Sequence, residues 1–385
     1  EPACRHFGLC GGCKWQHIQY EQQLAYKQKQ VSDNLTRIGK LEIPDVLPII
    51  ASDKLYHYRN KLEFTFSNRK WLVDNNTDRS DENMMKGLGF HLPGMFDRII
   101  DINECLLQDD LSNRIRNAVK EYTLKSDYRY YDVRNWEGFM RNIIIRNTTL
   151  DEWMVIMVFN EDKQNLILEL MYFIKEKFPE INSLMYVINS KRNPDISDLE
   201  IRWFAGQEYI TEELEGLKFK IGPKSFFQTN ATQALKLYQV ARKFAELKAD
   251  DNVYDLYTGT GTIANFIAPH VSRVTGIEYI ADAIEDAREN SRLNGIENTS
   301  FYAGDIVEVM DDNFINEHGK PDIIITDPPR AGMHEKVVKK ILEVNPKKVV
   351  YISCNPATQA RDMALMKEQF NIVKIQPVDM FPQTH

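Results

Sequence analysis

The chain has 385 residues, 43% of them hydrophobic and 27% charged, with a formal net charge of −8. That length suits about two domains with cores of their own, and the acidic balance argues against a general nucleic-acid binder, so any RNA site must be a local basic patch. No apolar run approaches the ~20 residues of a membrane span, and no leader pattern is seen; the cytoplasm is the expected compartment, where clustered thiols more often bind metal than form disulfides.

In chain order, residues 16–39 read as one amphipathic helix, with Leu24, Val31, Leu35 and Ile38 at helical spacing and Gly39 as its stop. Pro44 and Pro48 mark a connection. From Lys61 to about Gln207 short β-like runs follow, at 62–66, 141–146, 153–159 and 183–188, interrupted by helical stretches near 109–125 and 163–178. The polar run 74–86 reads as a mobile hairpin loop. From about residue 216 buried apolar strands alternate with helices, the pattern of a doubly wound parallel sheet. The expected fold is therefore α/β: a Rossmann-like sheet in 216–385, preceded by a smaller α+β domain in 1–215.

The predicted strands of the second half end in Asp255, Glu278, Asp305, Asp327 and Cys354. Ligands of such sheets bind beyond these carboxyl ends. One acid at a strand end is commonly a cap; five functional residues in succession are hard to read that way. Gly259 and Gly261 form a Gly-x-Gly turn without the third glycine of a dinucleotide fingerprint, a weak signal alone. Glu278 follows Gly259 by 19 residues, where an acid accepts from ribose hydroxyls. Asp305 is placed to take an adenine amino group. This set suits S-adenosylmethionine better than a dinucleotide, with an unidentified nucleotide as the blander alternative.

The chain has five cysteines. Cys4, Cys10 and Cys13, with the distant Cys105, are a set of four soft ligands for an iron–sulfur cluster or a zinc ion. Cys354 stands at the end of an apolar strand. It is either a small buried hydrophobe or a nucleophile; Asn355-Pro356 directly after it argues for an open rim. A thiolate adding at carbon 6 of uracil makes carbon 5 nucleophilic toward an activated methyl group. Asp327, in Asp327-Pro328-Pro329-Arg330, is placed to hold the pyrimidine edge, and a base must then take the proton from carbon 5. Two basic-aromatic patches, Tyr56 to Lys61 with Arg69-Lys70, and Arg134-Asn135-Trp136 with Arg141 and Arg146, are candidates for contact with single-stranded RNA, or ordinary strand faces.

Together, Cys-x5-Cys-Gly-Gly-Cys-x2-Gln-His, Phe226-Phe227-Gln228-Thr229-Asn230, Asp255 to Gly261, Asp327 to Arg330 and Ser353-Cys354-Asn355-Pro356 resemble the S-adenosylmethionine-dependent uracil-5-methyltransferases of RNA, in particular the iron–sulfur type acting on 23S ribosomal RNA. The resemblance runs from Cys4 to His385. It implies that Gln228, Tyr257, Glu278 and Asp305, beside Asp255, Gly259 and Gly261, bind the cofactor. It further implies that Asp327 contacts the target uracil, that Cys354 is the nucleophile, and that Cys4, Cys10, Cys13 and Cys105 hold a [4Fe–4S] cluster. It also implies that helix 16–39 packs on the catalytic domain and that the protein is a monomer. The family's general base is a glutamate a few residues beyond a Met-Phe-Pro-x-Thr stretch, here Met380 to Thr384. A chain ending at His385 is accordingly expected to transfer the methyl group and then stall, bonded to RNA. Transfer-RNA uracil methylation, amino methylation at a strand-four Asp-Pro-Pro motif, and a non-catalytic iron–sulfur RNA-binding protein are the rival readings.

Overall fold

The computed structural model describes residues 1–72 and 82–385. Positions 74–81 of the polar run read as a loop lie outside the described residues, and Glu82–Met85 forms a single helical turn.

Seven strands build the first sheet: β1 (Lys61–Ser67), β2 (Gly87–Leu92), β3 (Met95–Asp101), β4 (Met140–Asn147), β5 (Trp153–Phe159), β6 (Ile181–Ile188) and β7 (Ile201–Gly206), in the order β3-β2-β1-β4-β5-β6-β7. Among these described strands β5 and β6 alone pair with each other in parallel, joined by the crossover helix Gln164–Lys177. Both faces of β4 and β5 are covered, which is why these runs are apolar without alternation. Successive side chains still point to opposite sides. Ile143, Ile145, Val155 and Met157 meet Ile115 and Val119 of the helix Asp110–Leu124 and Ile167 and Met171 of the crossover helix. Ile144, Met154, Ile156 and Val158 enter a second core, shared with the hairpin of β8 (Ile210–Leu214) and β9 (Leu217–Ile221) and with the elements beyond it. One apolar cluster thus bridges the two halves of the chain.

The second sheet is parallel throughout: β10 (Asn252–Leu256), β11 (Arg273–Glu278), β12 (Thr299–Ala303), β13 (Ile323–Thr326) and β14 (Lys348–Tyr351), in the order β12-β11-β10-β13-β14. The order reverses at β10, whose two neighbours are β11 and β13, so the crevice of this sheet opens above that strand. This is the expected doubly wound α/β sheet, beside a large mixed sheet.

The first helix is shorter than expected. It runs Tyr20–Asp33 and continues as a π-helical turn, Asn34–Ile38. Residues 14–19 stay outside it because their backbone groups are bonded elsewhere. Lys14 and Trp15 N–H both donate to the Gln383 carbonyl (2.8 and 3.0 Å), and the buried Gln23 amide donates to Trp15 and Ile18 carbonyls (3.0 and 2.9 Å). Leu35 and Leu41 pack on Ala360 of the helix Pro356–Met366. The buried Asp379 accepts from Lys27 (2.6 Å) and Tyr20 (2.8 Å), so the first helix holds the last residues.

Candidate active site at the carboxyl edge of the parallel sheet

The strand ends supply the site. Asp255 lies within β10, paired between Gly276 and Ile325, and is fully buried. Its Oδ2 accepts from the Thr258 hydroxyl (2.6 Å) and the Ala264 N–H (3.1 Å), while Oδ1 has no partner among the described residues. Burial pushes this carboxyl up to about 7, with the nearby Asp327 adding to the effect. Asp255 thereby clamps the turn after β10 to the helix Thr262–Ile267.

That turn is tightly bent. Tyr257, a non-glycine residue, is left-handed (φ 61°), a conformation that persists only where the surroundings impose it. Gly259 (φ 54°) has nothing within 4 Å of where a side chain would stand, leaving room for a ligand against the backbone. A Cβ at Gly261 (φ 73°) would instead collide with Ala287 at 2.8 Å, so this glycine serves helix packing. Glu278, last residue of β11, accepts from Gly259 N–H (3.2 Å) and Ile280 N–H (3.1 Å). Asp305 caps the short helix Ile306–Val309, accepting from Val307 N–H (2.8 Å).

On the other side of the crevice, Asp327 follows β13 and its N–H donates to the Leu256 carbonyl (3.3 Å). Although partly exposed, it is so densely surrounded that burial pushes its carboxyl up to about 7. Cys354 lies three residues past β14 and is exposed, on a loop rather than on the strand. Asn355 caps the helix Pro356–Met366, accepting from Ala357 N–H (3.1 Å), while its amide donates to the Arg330 carbonyl (3.2 Å). Thr358 donates to that same carbonyl (3.2 Å). The Cys354 loop and the Asp327-Pro-Pro-Arg330 loop are therefore tied together.

Three positioning residues were not legible as such in the sequence. Asn60, at the start of β1, donates from its amide to the Gln228 carbonyl (3.0 Å) and from its backbone to the Thr229 carbonyl (2.8 Å). Arg146 of β4 is buried and donates to the Gly222 and Ser225 carbonyls (3.1 and 2.9 Å), pinning the same segment. Tyr238, buried in the helix Ala231–Ala245, stands close to the Gln228 side chain and within the field of both Asp327 and Asp255. Gln228, Asp255 and Asp327 thus share one locality.

Residues 198–385 match the family described as tRNA (Uracil-5-)-methyltransferase. The whole chain is 53% identical to an uncharacterized RNA methyltransferase of Bacteroides thetaiotaomicron, covering 86% of it, and 54% identical to one of Porphyromonas gingivalis, covering 84%. Among solved structures it is similar to the Pyrococcus abyssi tRNA (uracil-54, C5)-methyltransferase in complex with S-adenosyl-L-homocysteine. That match has a TM-score of 0.76 and 28% identity, over 98% of this chain and 84% of that one. The chain belongs to the RNA uracil-5-methyltransferase family.

As a methyltransferase of this family it uses S-adenosylmethionine and acts on RNA. The residues above fit such a donor: an open glycine backbone at Gly259, a strand-two carboxylate at its flank, and a buried oxygen of Asp255 without a partner.

The cysteine segment of this methyltransferase places Cys4, Cys10, Cys13 and Cys105 within one another's electrostatic reach. Burial raises the Cys4, Cys13 and Cys105 thiols, Cys13 to about 11. Asn113 secures Cys105, accepting from its N–H (2.8 Å), and Gln16 does the same for Cys4 (3.0 Å). The expected metal centre is nonetheless not shown: among the described residues no three Cys, His, Asp or Glu side chains converge as ligands of one ion.

The two RNA patches need correction. Tyr58, Asn60, Arg141 and Arg146 are buried. Arg141 spends its guanidinium on the carbonyls of Asn189, Lys191 and Asn193, as Arg146 does on Gly222 and Ser225. An arginine in a β-run satisfies backbone carbonyls as readily as phosphates.

No helix among the described residues is long and apolar enough to cross a membrane.

Proposed function

We propose that the protein transfers a methyl group from S-adenosylmethionine to carbon 5 of a uridine in 23S ribosomal RNA, with Cys354 as nucleophile and Asp327 as the group that orients the base. The observation that carries this reading is the exposed Cys354 thiol on a loop bonded, through the Arg330 carbonyl, to the loop bearing Asp327.

When bound, S-adenosylmethionine supplies an electrophilic methyl group on its sulfonium. Gln228, Asp255, Tyr257, Gly259, Gly261, Glu278 and Asp305 line its place beyond the strand ends. The target base is flipped out to reach the site. Cys354 adds as thiolate to carbon 6, and the electron pair of the 5,6 double bond makes carbon 5 nucleophilic. Asp327 holds N3 and O4 of the ring during the addition; as a carboxylate it accepts from N3–H, and when protonated it donates to O4. After carbon 5 is methylated, a base removes its remaining proton, the double bond re-forms and Cys354 leaves.

Residues 1–215 form the RNA-binding part and 216–385 the catalytic part of this cytoplasmic, monomeric enzyme. Cys4, Cys10, Cys13 and Cys105 hold a [4Fe–4S] cluster with a structural role, since methyl transfer consumes no electron. The four cysteines support ribosomal RNA through the resemblance; the likeness to a transfer-RNA enzyme favours a second reading, the same chemistry on transfer RNA.

RNA carrying 5-fluorouridine has no proton on carbon 5 to lose, so the adduct is trapped. The wild-type protein, incubated with such RNA and cofactor, should migrate as a protein–RNA conjugate on a denaturing gel. Cys354→Ala should not, while still binding S-adenosylmethionine. A conjugate formed by the variant overturns the nucleophile, and tritium from labelled cofactor appearing in transfer RNA but not in 23S RNA overturns the substrate.

A further inference from the structure

We propose that Trp136 and Arg192 form a stacking platform for an unpaired base of the substrate RNA, at the end of the seven-stranded sheet remote from Cys354. This rests on RNA as the substrate and not on the choice between ribosomal and transfer RNA.

Trp136 is 46% exposed, while Tyr130 and Tyr131 earlier in the same stretch are buried, Tyr130 in the core of the sheet and Tyr131 against the Arg141 guanidinium. Its backbone is left-handed (φ 57°), a conformation that disfavours side chains, so the loop holds this indole outward against its local preference. The Arg192 guanidinium lies 3.7 Å from the ring centroid, in stacking contact. Lys191 beside it pairs with Asp198, but Arg192 takes part in no ion pair among the described residues, so its charge is available to a phosphate.

Both loops are built rigidly. Asp132 accepts from Arg134 N–H (2.9 Å) and from the side-chain amides of Asn135 and Asn68 (both 3.2 Å), fixing the loop that carries Trp136. The buried Arg141 binds carbonyls on either side of Arg192, those of Lys191 (2.6 Å) and Asn193 (3.1 Å). A buried cation that organises an exposed arginine–indole pair is a costly device for a solvated loop. It suits a ligand with a flat ring and a negative backbone, and single-stranded RNA has both.

The position sets the reach. Tyr130 pairs with Met140 at one end of β4, and Asn147 at the other end donates to Asn60, which in turn holds Gln228. Eight residues at ~3.3 Å each put the platform roughly 25 Å from that junction. RNA seated at both places must therefore span several nucleotides, so the platform adds length to the recognised segment.

The test uses 5′-labelled oligoadenylate of 20 nucleotides, because stacking is tolerant of base identity. By anisotropy, Trp136→Ala should bind about ten-fold more weakly than the wild type, Arg192→Gln severalfold more weakly, and Trp136→Phe nearly as well. Saturating RNA should quench tryptophan emission in the wild type, and Trp136→Phe should lose that quenching while still binding. Ultraviolet cross-links to the oligonucleotide should map to the peptide containing Trp136. Conjugation of Cys354 to a 5-fluorouridine hexanucleotide should be unchanged in all three variants, which separates this inference from the nucleophile assignment. Unchanged anisotropy in Trp136→Ala with a wild-type melting temperature overturns the proposal. So do cross-links confined to other peptides, or no binding of the oligonucleotide by the wild type. If Trp136→Ala fails to fold, Trp136→Phe and Arg192→Gln decide it through quenching and anisotropy.

Discussion

Replacing Asp255 by asparagine should remove a pH-dependent instability from the fold. In the folded chain burial pushes this carboxyl up to about 7, against an ordinary 3.8. Between those values the folded state holds a proton that the unfolded chain has released, so stability falls as pH rises through the window and levels off above 7. The full difference is roughly 4 kcal/mol, and about 3 kcal/mol of it is lost between pH 5 and pH 8. Asparagine keeps an oxygen to accept from Thr258 and Ala264, places its amide where Oδ1 has no partner, and has no charge to bury. Thermal unfolding at pH 5 and pH 8 measures this. The variant should gain on the wild type by roughly 3 kcal/mol over that range, a relative rise of some 3–4 °C for a chain of this size. The neighbouring Asp327, also pushed up to about 7, remains in both proteins and sets the residual slope. A stability difference equal at the two pH values would refute the reasoning, since it would mean that Asp255 ionises at its ordinary pH inside the fold.

Two further outcomes concern the join between the first and last residues. Lys27→Met leaves Asp379 buried with the Tyr20 hydroxyl and the Phe381 N–H but no counter-charge, and should cost roughly 3–5 kcal/mol in urea unfolding, with early proteolytic release of the residues that follow. Gly39→Ala has an ordinary φ of −72°, but its methyl carbon would stand 2.8 Å from the Leu35 carbonyl and 2.9 Å from that of Ala360; a loss of about 1–3 kcal/mol in the same assay is expected.

The parallel strands were readable because a strand buried on both faces leaves an unbroken apolar run, as in Asn252–Leu256 and Ile323–Thr326, and the turn between run and helix marks its end. The edge strands were not. Met95–Asp101 mixes exposed, half-buried and buried positions without alternation, Ile201–Gly206 has no buried position, and both carry charge or glycine, which no simple period distinguishes from loop. The acids and the cysteine at the strand ends could be picked out because position along a parallel strand predicts position at the sheet edge. What holds them could not. Asn60 and Arg146 act on carbonyls more than 70 positions away, and such partners are set by the tertiary approach of two sheets. Tyr238 looks like any tyrosine on an amphipathic helix until the crevice above it is formed. The same blindness turned Arg141 and Arg146 into candidate phosphate contacts.

The bonds between Gln23 and Gln383 cross 360 positions, and those from Tyr20 and Lys27 to Asp379 nearly as many. During synthesis the first helix leaves the ribosome well before it has a seat, because the Asp379 that receives it follows 359 positions after Tyr20 and 352 after Lys27. The segment around Cys13 waits for Gln383, since the Lys14 N–H donates to that residue's carbonyl. Closing this clasp waits until every strand of the parallel sheet has been made, since Asp379 and Gln383 follow β14 in the chain.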